Sequence, residues 1–470
     1  MNEILTASLT ELRERLTRRQ VSARELMQAV LERIDATNDR LLAFVALRDG
    51  DALLAEADAA DERIARGEAR VLEGVPLGVK DLEHAAGLPN TEGSRLFEGR
   101  VSDYDEIHVA RLKAAGAIVV GKTNAPEFGW TAITKNLVYG VTRSPWDPEV
   151  SPGGSSGGSS AALAGCVCPL VTASDGGGSV RIPASFTGAF GLKPSYGRVP
   201  IAPMHDWPWG QTSVYGPLTK TVEDGALYLD VVAGPDPRDP LSLPPAGISY
   251  HDTLEDPLPS GLRIGFSPDL GYAVVQSDVA EAVADAVATF EKLGHSVRPV
   301  AGGPPQLGLE WVMLGSFELA VRLSEHLPER SAEMHRTLSE QVRRSTRLEP
   351  DTWRKISDQR VALIEWCAGA FEEFDLLVTP TVPFDPPPAK GPFPREVEGR
   401  AANLASAGSF TIPFNLSWHP AATVRAGLSR RGLPIGMQIV GPRHRDDLVL
   451  RAARAFERER PWHPDWPTGA

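Results

Sequence analysis

Two glycine- and serine-rich segments near the middle of this 470-residue chain constrain its fold more than any other feature. Residues 151–160 read SPGGSSGGSS, and residues 175–181 read DGGGSVR. A flexible linker is the ordinary interpretation of such composition. Here, however, the first segment leads directly into the small-residue run AALAG and the apolar run VCPLVT, which predict a close-packed helix and a buried strand. We therefore expect both segments to be ordered loops of a folded core.

The second segment carries the stronger chemical signal. A phosphate-binding loop would need Gly-Lys-Ser or Gly-Lys-Thr at its end, and neither follows these segments. Instead, the glycines at positions 176–178 directly precede Ser179, and glycine allows successive backbone N–H groups to turn toward one point. Such a group of donors suits the negative charge that develops on a carbonyl oxygen under attack. The pattern predicts that Ser179 is a nucleophile beside an oxyanion site.

A nucleophilic serine needs a group that takes its proton, and a lysine is the candidate here. Lys80 ends the apolar stretch GVPLGVK, which begins at Gly74. Burial in such surroundings lowers the pKa of a lysine and favours the neutral amine, which can accept a proton. A serine served by a lysine is a recognised variant of the serine triad. The alternative is that Lys80 forms an ion pair with Asp81 or Glu83.

Composition argues against several other classes of function. The formal net charge of −13 disfavours a nucleic-acid or anionic-membrane partner, because both bind a basic surface. Three cysteines are too few for a disulfide framework and lack metal-binding spacing, so we expect buried thiols. The histidines are also scattered without metal spacing. We therefore expect no metal site. Because neither a signal peptide nor an apolar run of membrane-spanning length is visible, we expect a cytoplasmic protein.

The rest of the chain predicts an α/β fold. Apolar strands alternate with helices from Val75 onward, which is typical of one mixed or parallel sheet covered on both faces. Residues about 1–70 read as helical, with a capping box from Ser22 to Glu25. Residues about 304–373 also read as helical, and we expect them to form a cap over a pocket. We interpret residues 1–470 as a single domain. The predicted strands lie at residues 117–121, 262–266, 296–300, 374–379 and 435–440.

The three segments that carry the serines and the lysine together resemble the amidase signature family. Residues 152–165 resemble the serine- and glycine-rich signature, residues 175–195 the nucleophile segment, and residues 74–81 the lysine segment. The resemblance covers nearly the whole chain, because four flanking segments are also similar to family elements: residues 121–128, 216–222, 375–381 and 432–438. A glycine- and serine-rich linker would bring none of these.

The resemblance implies a fold and a triad. The fold would be a large central mixed β-sheet of about eleven strands flanked by helices. Ser179 would be the nucleophile and Lys80 the base. Ser155 would be the serine that bridges them, and the peptide bond from Gly154 to Ser155 would be cis.

The resemblance also implies groups that support the reaction. Four backbone N–H groups would form the oxyanion hole: those of Gly176, Gly177, Gly178 and Ser179. Three side chains would hold the reacting groups in place: Ser156, Asp175 and Arg181.

Aromatic residues near these segments predict a pocket for an apolar or aryl part of the substrate. The alternative is that the tryptophans belong to the core. The candidate pocket residues are Trp130, His205, Trp207 and Trp209, and the stretch from Trp311 to Phe317 on the expected cap is a further source of aromatic side chains.

The implied activity is hydrolysis of a C–N bond through an acyl-enzyme, without metal or cofactor. The partner would be a small-molecule amide or carbamate, with aryl and cyclic amides included, and the protein would be a monomer or a homodimer. One alternative lies in the same family: the amidase-type subunit of a glutamine-dependent amidotransferase, which works with partner subunits. A second alternative is a non-catalytic scaffold of the same fold.

Overall fold

The computed structural model describes residues 3–202, 211–347, 349–403 and 405–467, and β-strands lie at its centre. Numbered in chain order, the strands are β1 (Phe44–Leu47), β2 (Pro76–Lys80), β3 (Ile118–Thr123), β4 (Leu170–Val171), β5 (Ser174–Asp175), β6 (Phe190–Lys193), β7 (Val214–Tyr215), β8 (Leu218–Thr219), β9 (Arg263–Phe266), β10 (Ser296–Pro299), β11 (Leu376–Pro380), β12 (Glu396–Val397), β13 (Arg400–Ala401), β14 (Ala421–Leu428) and β15 (Pro434–Val440). The helices are α1 (Glu3–Thr6), α2 (Leu9–Thr17), α3 (Ala23–Leu41), α4 (Gly50–Ala65), α5 (Ile107–Ala114), α6 (Gly157–Ala164), α7 (Arg181–Thr187), α8 (Val222–Val232), α9 (Ser277–Lys292), α10 (Gly308–Arg322), α11 (Arg336–Ser345), α12 (Pro350–Glu373), α13 (Ile412–Leu416) and α14 (Asp446–Glu459).

Two mixed sheets contain most of these strands. The four-stranded sheet has the order β1-β3-β2-β4, in which β1 is antiparallel to β3 and the other neighbours are parallel. The seven-stranded sheet has the order β10-β9-β11-β15-β14-β6-β8, in which β10, β9 and β11 are parallel and the other neighbours are antiparallel. The predicted α/β class with a mixed sheet and flanking helices is confirmed. The expected strands are divided between these two sheets.

The central strands are apolar because they are buried along their whole length. This holds for β2 and β3 in the smaller sheet and for β11 and β15 in the larger one. Such continuous burial is expected of strands that are covered on both faces. The five strands predicted from apolar runs are confirmed as β3, β9, β10, β11 and β15.

The N-terminal segment is mostly helical, as expected, and α3 begins with the predicted capping box between Ser22 and Glu25. It also contains β1, which the sequence pattern does not predict. Phe44–Leu47 pairs antiparallel with β3 and forms an edge of the four-stranded sheet. A four-residue strand is too short to produce a periodic pattern, so only its pairing partner reveals it.

The segment at residues 304–373 contains α10, α11 and α12, in agreement with its predicted helical character. That it acts as a cap stays a prediction. Each of the three cysteines is a buried free thiol, as expected. Among the helices that the structure describes, none combines the length and the apolar character needed to cross a lipid bilayer.

Helix α6 shows why the first serine- and glycine-rich segment is ordered. Every residue of Gly157–Ala164 is buried, and the helix packs against β2, β3 and α7. A Cβ at Gly158 would lie 2.2 Å from the backbone nitrogen of Asn124, which is far inside van der Waals contact. Only small side chains allow such a close approach. The second half of the segment is therefore a core helix rather than a linker.

We predict that Gly158→Ala lowers the thermal unfolding midpoint, because overpacking of this kind costs about 1–3 kcal/mol. The matched control is Gly369→Ala in α12, where a Cβ would meet nothing within 4 Å. The control should stabilise the protein by up to about 1 kcal/mol through helix propensity. Circular dichroism melts measure both variants. Equal midpoints for the two variants would contradict this account of α6.

Candidate active site

The amine of Lys80 lies at the end of β2 among three serine hydroxyls. Its Nζ is 2.9 Å from Ser155 Oγ, 2.8 Å from Ser156 Oγ and 2.9 Å from Ser174 Oγ. A protonated lysine has three N–H donors, and these hydroxyls can accept all of them. A hydroxyl can also donate, so a neutral amine can accept a proton from one of the three. The surroundings therefore suit both protonation states of the lysine.

Burial controls the charge of this amine. The Lys80 side chain has no solvent exposure. Burial lowers the pKa of Lys80 to about 8, although the negative charges of Glu83 and Asp175 act to raise it. With a pKa of about 8, the amine is mostly protonated at pH 7, and the neutral form that a proton acceptor requires becomes the main form at mildly alkaline pH.

The nearby carboxylates are engaged elsewhere. Thr91 donates its hydroxyl to Asp81 Oδ2 at 2.7 Å, and Glu83 Oε2 lies 3.1 Å from His108 Nε2. Within the described residues, no carboxylate lies at salt-bridge distance from Lys80. The alternative interpretation from the sequence, an ion pair with Asp81 or Glu83, is therefore wrong.

The two serines nearest to Lys80 lie where the chain enters α6. The peptide bond between Gly154 and Ser155 is cis, as the resemblance implied. Ser155 is buried, and Ser156 is the N-cap residue of the helix. One turn further, Ser160 donates its hydroxyl to the carbonyl of Pro152 at 3.0 Å and holds the preceding loop against the helix.

The loop that carries Ser179 is held by the carboxylate of Asp175. Asp175 Oδ1 accepts the N–H of Gly178 at 2.7 Å, and Oδ2 accepts the N–H of Val180 at 3.2 Å. Gly178 has a φ of 131°, a backbone conformation that residues other than glycine rarely adopt. A Cβ there would also lie 2.4 Å from Thr411 Oγ1. The turn therefore needs glycine at this position.

Arg181 fixes Asp175 through a buried ion pair. Its Nε lies 3.0 Å from Asp175 Oδ2, its Nη2 lies 2.9 Å from Oδ1, and neither side chain is exposed. The other donors reach Gln438 Oε1 at 2.7 Å, Asn415 Oδ1 at 2.6 Å and the Thr411 carbonyl at 3.0 Å. Burial acts to raise the pKa of Asp175, but the charge and hydrogen bonds of Arg181 hold it well below its usual range. Asp175 is thus a fixed anion that organises the loop.

The expected oxyanion donors do not all face the same way. The Gly178 N–H, which was expected among them, donates to Asp175 instead. The N–H groups of Gly176, Gly177 and Ser179 donate to no other described residue. That they donate to an oxyanion stays a prediction.

Ser179 lies beside this site and is half-buried. Its carbonyl accepts the N–H of Ser156 at 3.4 Å, which brings the two serine segments together. Its hydroxyl makes no hydrogen bond to another described residue, and the transfer of its proton to Ser155 stays a prediction. Catalytic hydrogen bonds are often long or poorly aligned until the substrate binds.

Trp130 is the one predicted pocket residue that can be placed, since His205, Trp207 and Trp209 lie outside the described residues. Its ring packs against an apolar cluster that includes Leu319 of α10. The neighbouring Gly129 approaches the site closely, since a Cβ there would lie 3.3 Å from Ser155 Oγ. A role for Trp130 in substrate binding stays a prediction.

Several site residues were not found from the sequence. Ser174 contacts Lys80, and Thr411 and Asn415 support the Asp175 loop. Trp311, which the sequence suggested only as an aromatic on the cap, donates to the carbonyl of Gly176. A buried arginine needs several acceptors. The available signal was therefore the polar residues Thr411, Asn415 and Gln438 inside the apolar runs FTIPFNL and IGMQIV. In the described parts of the chain, no cluster of His, Cys, Asp and Glu is arranged to hold a metal ion.

Comparisons with known proteins agree with this geometry. A family model described as "Amidase" matches residues 25–450. The chain is 34% identical over 473 residues to an acylamidase of Rhodococcus erythropolis, with 97% of this chain and 96% of the relative covered. It is 35% identical over 487 residues to a glutamyl-tRNA(Gln) amidotransferase subunit of Geobacter sp. (strain M21), with 98% and 99% covered. The crystal structure of a bacterial aryl acylamidase of the amidase signature enzymes superposes with a TM-score of 0.91 at 30% identity, covering 99% of each chain.

We predict that Arg181→Met lowers the unfolding free energy by about 3–5 kcal/mol, because it leaves the carboxylate of Asp175 buried without its partner. The control is Arg430→Met, whose ion pair with Glu281 is mostly exposed, with side-chain exposures of 67% and 69%. Exposed pairs contribute little to stability. Thermal melts compare the variants with the unaltered protein. The same small shift for both would contradict a structural role for the buried pair.

Proposed function

Because the chain belongs to the amidase family, we propose that it hydrolyses the C–N bond of small amides or carbamates through an acyl-enzyme on Ser179. The observation that carries this proposal is the 2.9 Å contact between the buried Lys80 Nζ and Ser155 Oγ. A scaffold would need no amine of lowered pKa inside a group of hydroxyls. Perturbed titratable groups of this kind mark functional sites.

The reaction begins with proton transfer along the serines. Neutral Lys80 takes the proton of Ser155, and Ser155 takes that of Ser179, whose oxygen then attacks the carbonyl carbon. The negative charge on the carbonyl oxygen is stabilised by the N–H groups of Gly177 and Ser179. The Gly176 N–H is proposed as a third donor.

Bond cleavage then needs a proton on the leaving nitrogen, because an amine anion is a poor leaving group. Ser155 returns its proton to that nitrogen, and the C–N bond breaks to leave an ester on Ser179. Water then attacks the ester carbonyl and gives its proton through Ser155 to Lys80. The acyl–oxygen bond breaks as that proton returns through Ser155 to the Ser179 oxygen, which releases the acid and restores the free enzyme. With a carbamate substrate, the released acid would lose carbon dioxide.

The surroundings of the site support an apolar or aryl group on the substrate. Trp130 lies one residue from the backbone that approaches Ser155. An aromatic side chain at this place favours such a group. The named relatives include an acylamidase and an aryl acylamidase, which supports aryl amides as the first substrates to assay.

The second candidate is the amidase-type subunit of a glutamine-dependent amidotransferase, which the 35% identity to the Geobacter protein supports. This function would need partner subunits and glutamine as the ammonia donor. The two candidates separate when the purified protein is given an anilide or glutamine, first alone and then with amidotransferase partner subunits. Turnover of the anilide by the lone protein supports the hydrolase, and ammonia release from glutamine only when the partner subunits are present supports the amidotransferase.

We predict that Ser179→Ala abolishes turnover and also abolishes labelling by a fluorophosphonate probe, which reacts with activated serine nucleophiles. The matched control is Ser160→Ala in α6, whose hydroxyl contacts only backbone carbonyls among the described residues. Intact-mass spectrometry reports the adduct, and a panel of anilides, primary amides and carbamates reports activity. Labelling or substantial turnover in Ser179→Ala would exclude Ser179 as the nucleophile.

We predict that kcat/KM rises with pH and levels off above the Lys80 pKa of about 8, because the amine acts only when it has lost its proton. Lys80→Met should lower kcat by at least about a hundredfold at every pH, in the range typical of a lost general base. Lys355→Met, on the exposed face of α12, is the control and should keep the wild-type profile. A wild-type profile that is flat between about pH 6 and pH 10 would rule out the lysine base.

A further inference from the structure

Three hydrogen bonds hold the carbonyl groups of the loop before Ser179. Trp311 Nε1 donates to the carbonyl of Gly176 at 3.0 Å. The Thr411 hydroxyl donates to the carbonyl of Gly177 at 2.7 Å, and the N–H of Ile182 donates to the carbonyl of Gly178 at 2.7 Å. Each of these carbonyl groups belongs to a peptide plane that also carries the N–H of the next residue.

In a trans peptide, the carbonyl and the N–H of one plane point in opposite directions. The bond from Trp311 to Gly176 therefore orients the N–H of Gly177, and the bond from Ile182 to Gly178 orients that of Ser179. Both of these N–H groups donate to no other described residue. The same holds for the N–H of Gly176, whose peptide plane is held by Asn415 Nδ2 through the carbonyl of Asp175 at 2.9 Å. The third plane, held by Thr411, directs its N–H to Asp175 instead.

Trp311 also fills the space on the carbonyl side of the loop. A Cβ at Gly177 would lie 2.6 Å from Cζ2 of the indole ring, so glycine is needed to admit the ring. The ring packs against an apolar cluster that includes Leu307, Phe374 and Ile412. Trp311 comes from α10, in the segment predicted to form a cap. A residue far away in sequence thus contacts the peptide plane that faces the substrate.

We propose that Trp311 is a positioning residue for the hydrolysis: its indole N–H holds the Gly176–Gly177 peptide so that the Gly177 N–H faces the oxyanion. This inference rests on the proposed function. The Gly177 N–H stabilises a negative charge that forms only in the transition state. Loss of the Trp311 hydrogen bond, which orients this N–H, therefore lowers kcat and leaves KM nearly unchanged.

The variant that tests this is Trp311→Phe, which keeps an aromatic ring and removes the donor. We expect kcat for an anilide to fall about tenfold to a hundredfold, below the loss for deletion of a whole oxyanion donor. KM should stay within about twofold. The inhibition constant of an aryl trifluoromethyl ketone, which forms an oxyanion adduct with a serine, should rise by the same factor as kcat falls. The control is Trp353→Phe in α12, whose ring packs edge-on against Phe317 and should change neither value.

Hydrogen–deuterium exchange tests the positioning without relying on activity. In Trp311→Phe, the peptide that covers residues 175–181 should exchange faster than in the wild type, and in Trp353→Phe it should not. Wild-type kcat and wild-type exchange in Trp311→Phe would overturn the inference, as would an equal loss of kcat in both variants. If the wild type hydrolyses no amide or carbamate, the proposed function fails. Unchanged exchange of this peptide in Trp311→Phe separately refutes the positioning role of Trp311.

Discussion

The site depends on one constraint: a lysine amine that is buried without a carboxylate partner among the residues that the structure describes. Lys80 meets the hydroxyls of Ser155, Ser156 and Ser174, and these are polar enough to solvate the amine without fixing its charge. A buried carboxylate at the same distance would hold the proton on the nitrogen and prevent it from acting as a base. The chain keeps Glu83 near enough to moderate the effect of burial, but pairs its carboxylate with His108. The pKa of about 8 is the result of this balance.

A second buried charge, that of Asp175, has a structural role instead. Asp175 is held as an anion by Arg181, and it uses that charge to fold the glycine loop rather than to do chemistry. The arginine collects acceptors from two C-terminal segments, through Asn415 and Gln438. The loop that carries Ser179 is thereby tied to residues far along the chain. Removal of any one acceptor leaves a buried donor unsatisfied, which costs more than the hydrogen bond contributes.

Much of this could be predicted from the sequence, because the informative features are local. Lys80, the two serine segments and the long apolar strands each appear as a pattern within a few residues, and the central strands, the buried amine and the cis bond at Ser155 agree with the structure. Contacts across the fold leave no such pattern. The strand β1 is visible only through its partner, and nothing local to Trp311 indicates that it reaches the loop before Ser179. The Gly178 N–H likewise points to the side chain of Asp175. Three consecutive glycines do not by themselves determine which way each N–H of the turn points.

The two sheets give the site a property that neither has alone. Lys80 ends a strand of the four-stranded sheet, whereas the helix that follows Ser179 packs against β6, β14 and β15 of the seven-stranded sheet. In the proposed reaction, the proton donor and its acceptor are therefore carried by different sheets, and α6, whose side chains are small, lies between them. A shift of about 1 Å between the sheets would be enough to break the alignment of the reacting atoms, and such shifts can cost about a hundredfold in rate. The proposed activity therefore depends on how the two sheets are aligned, and we expect it to be lost on warming before the sheets separate.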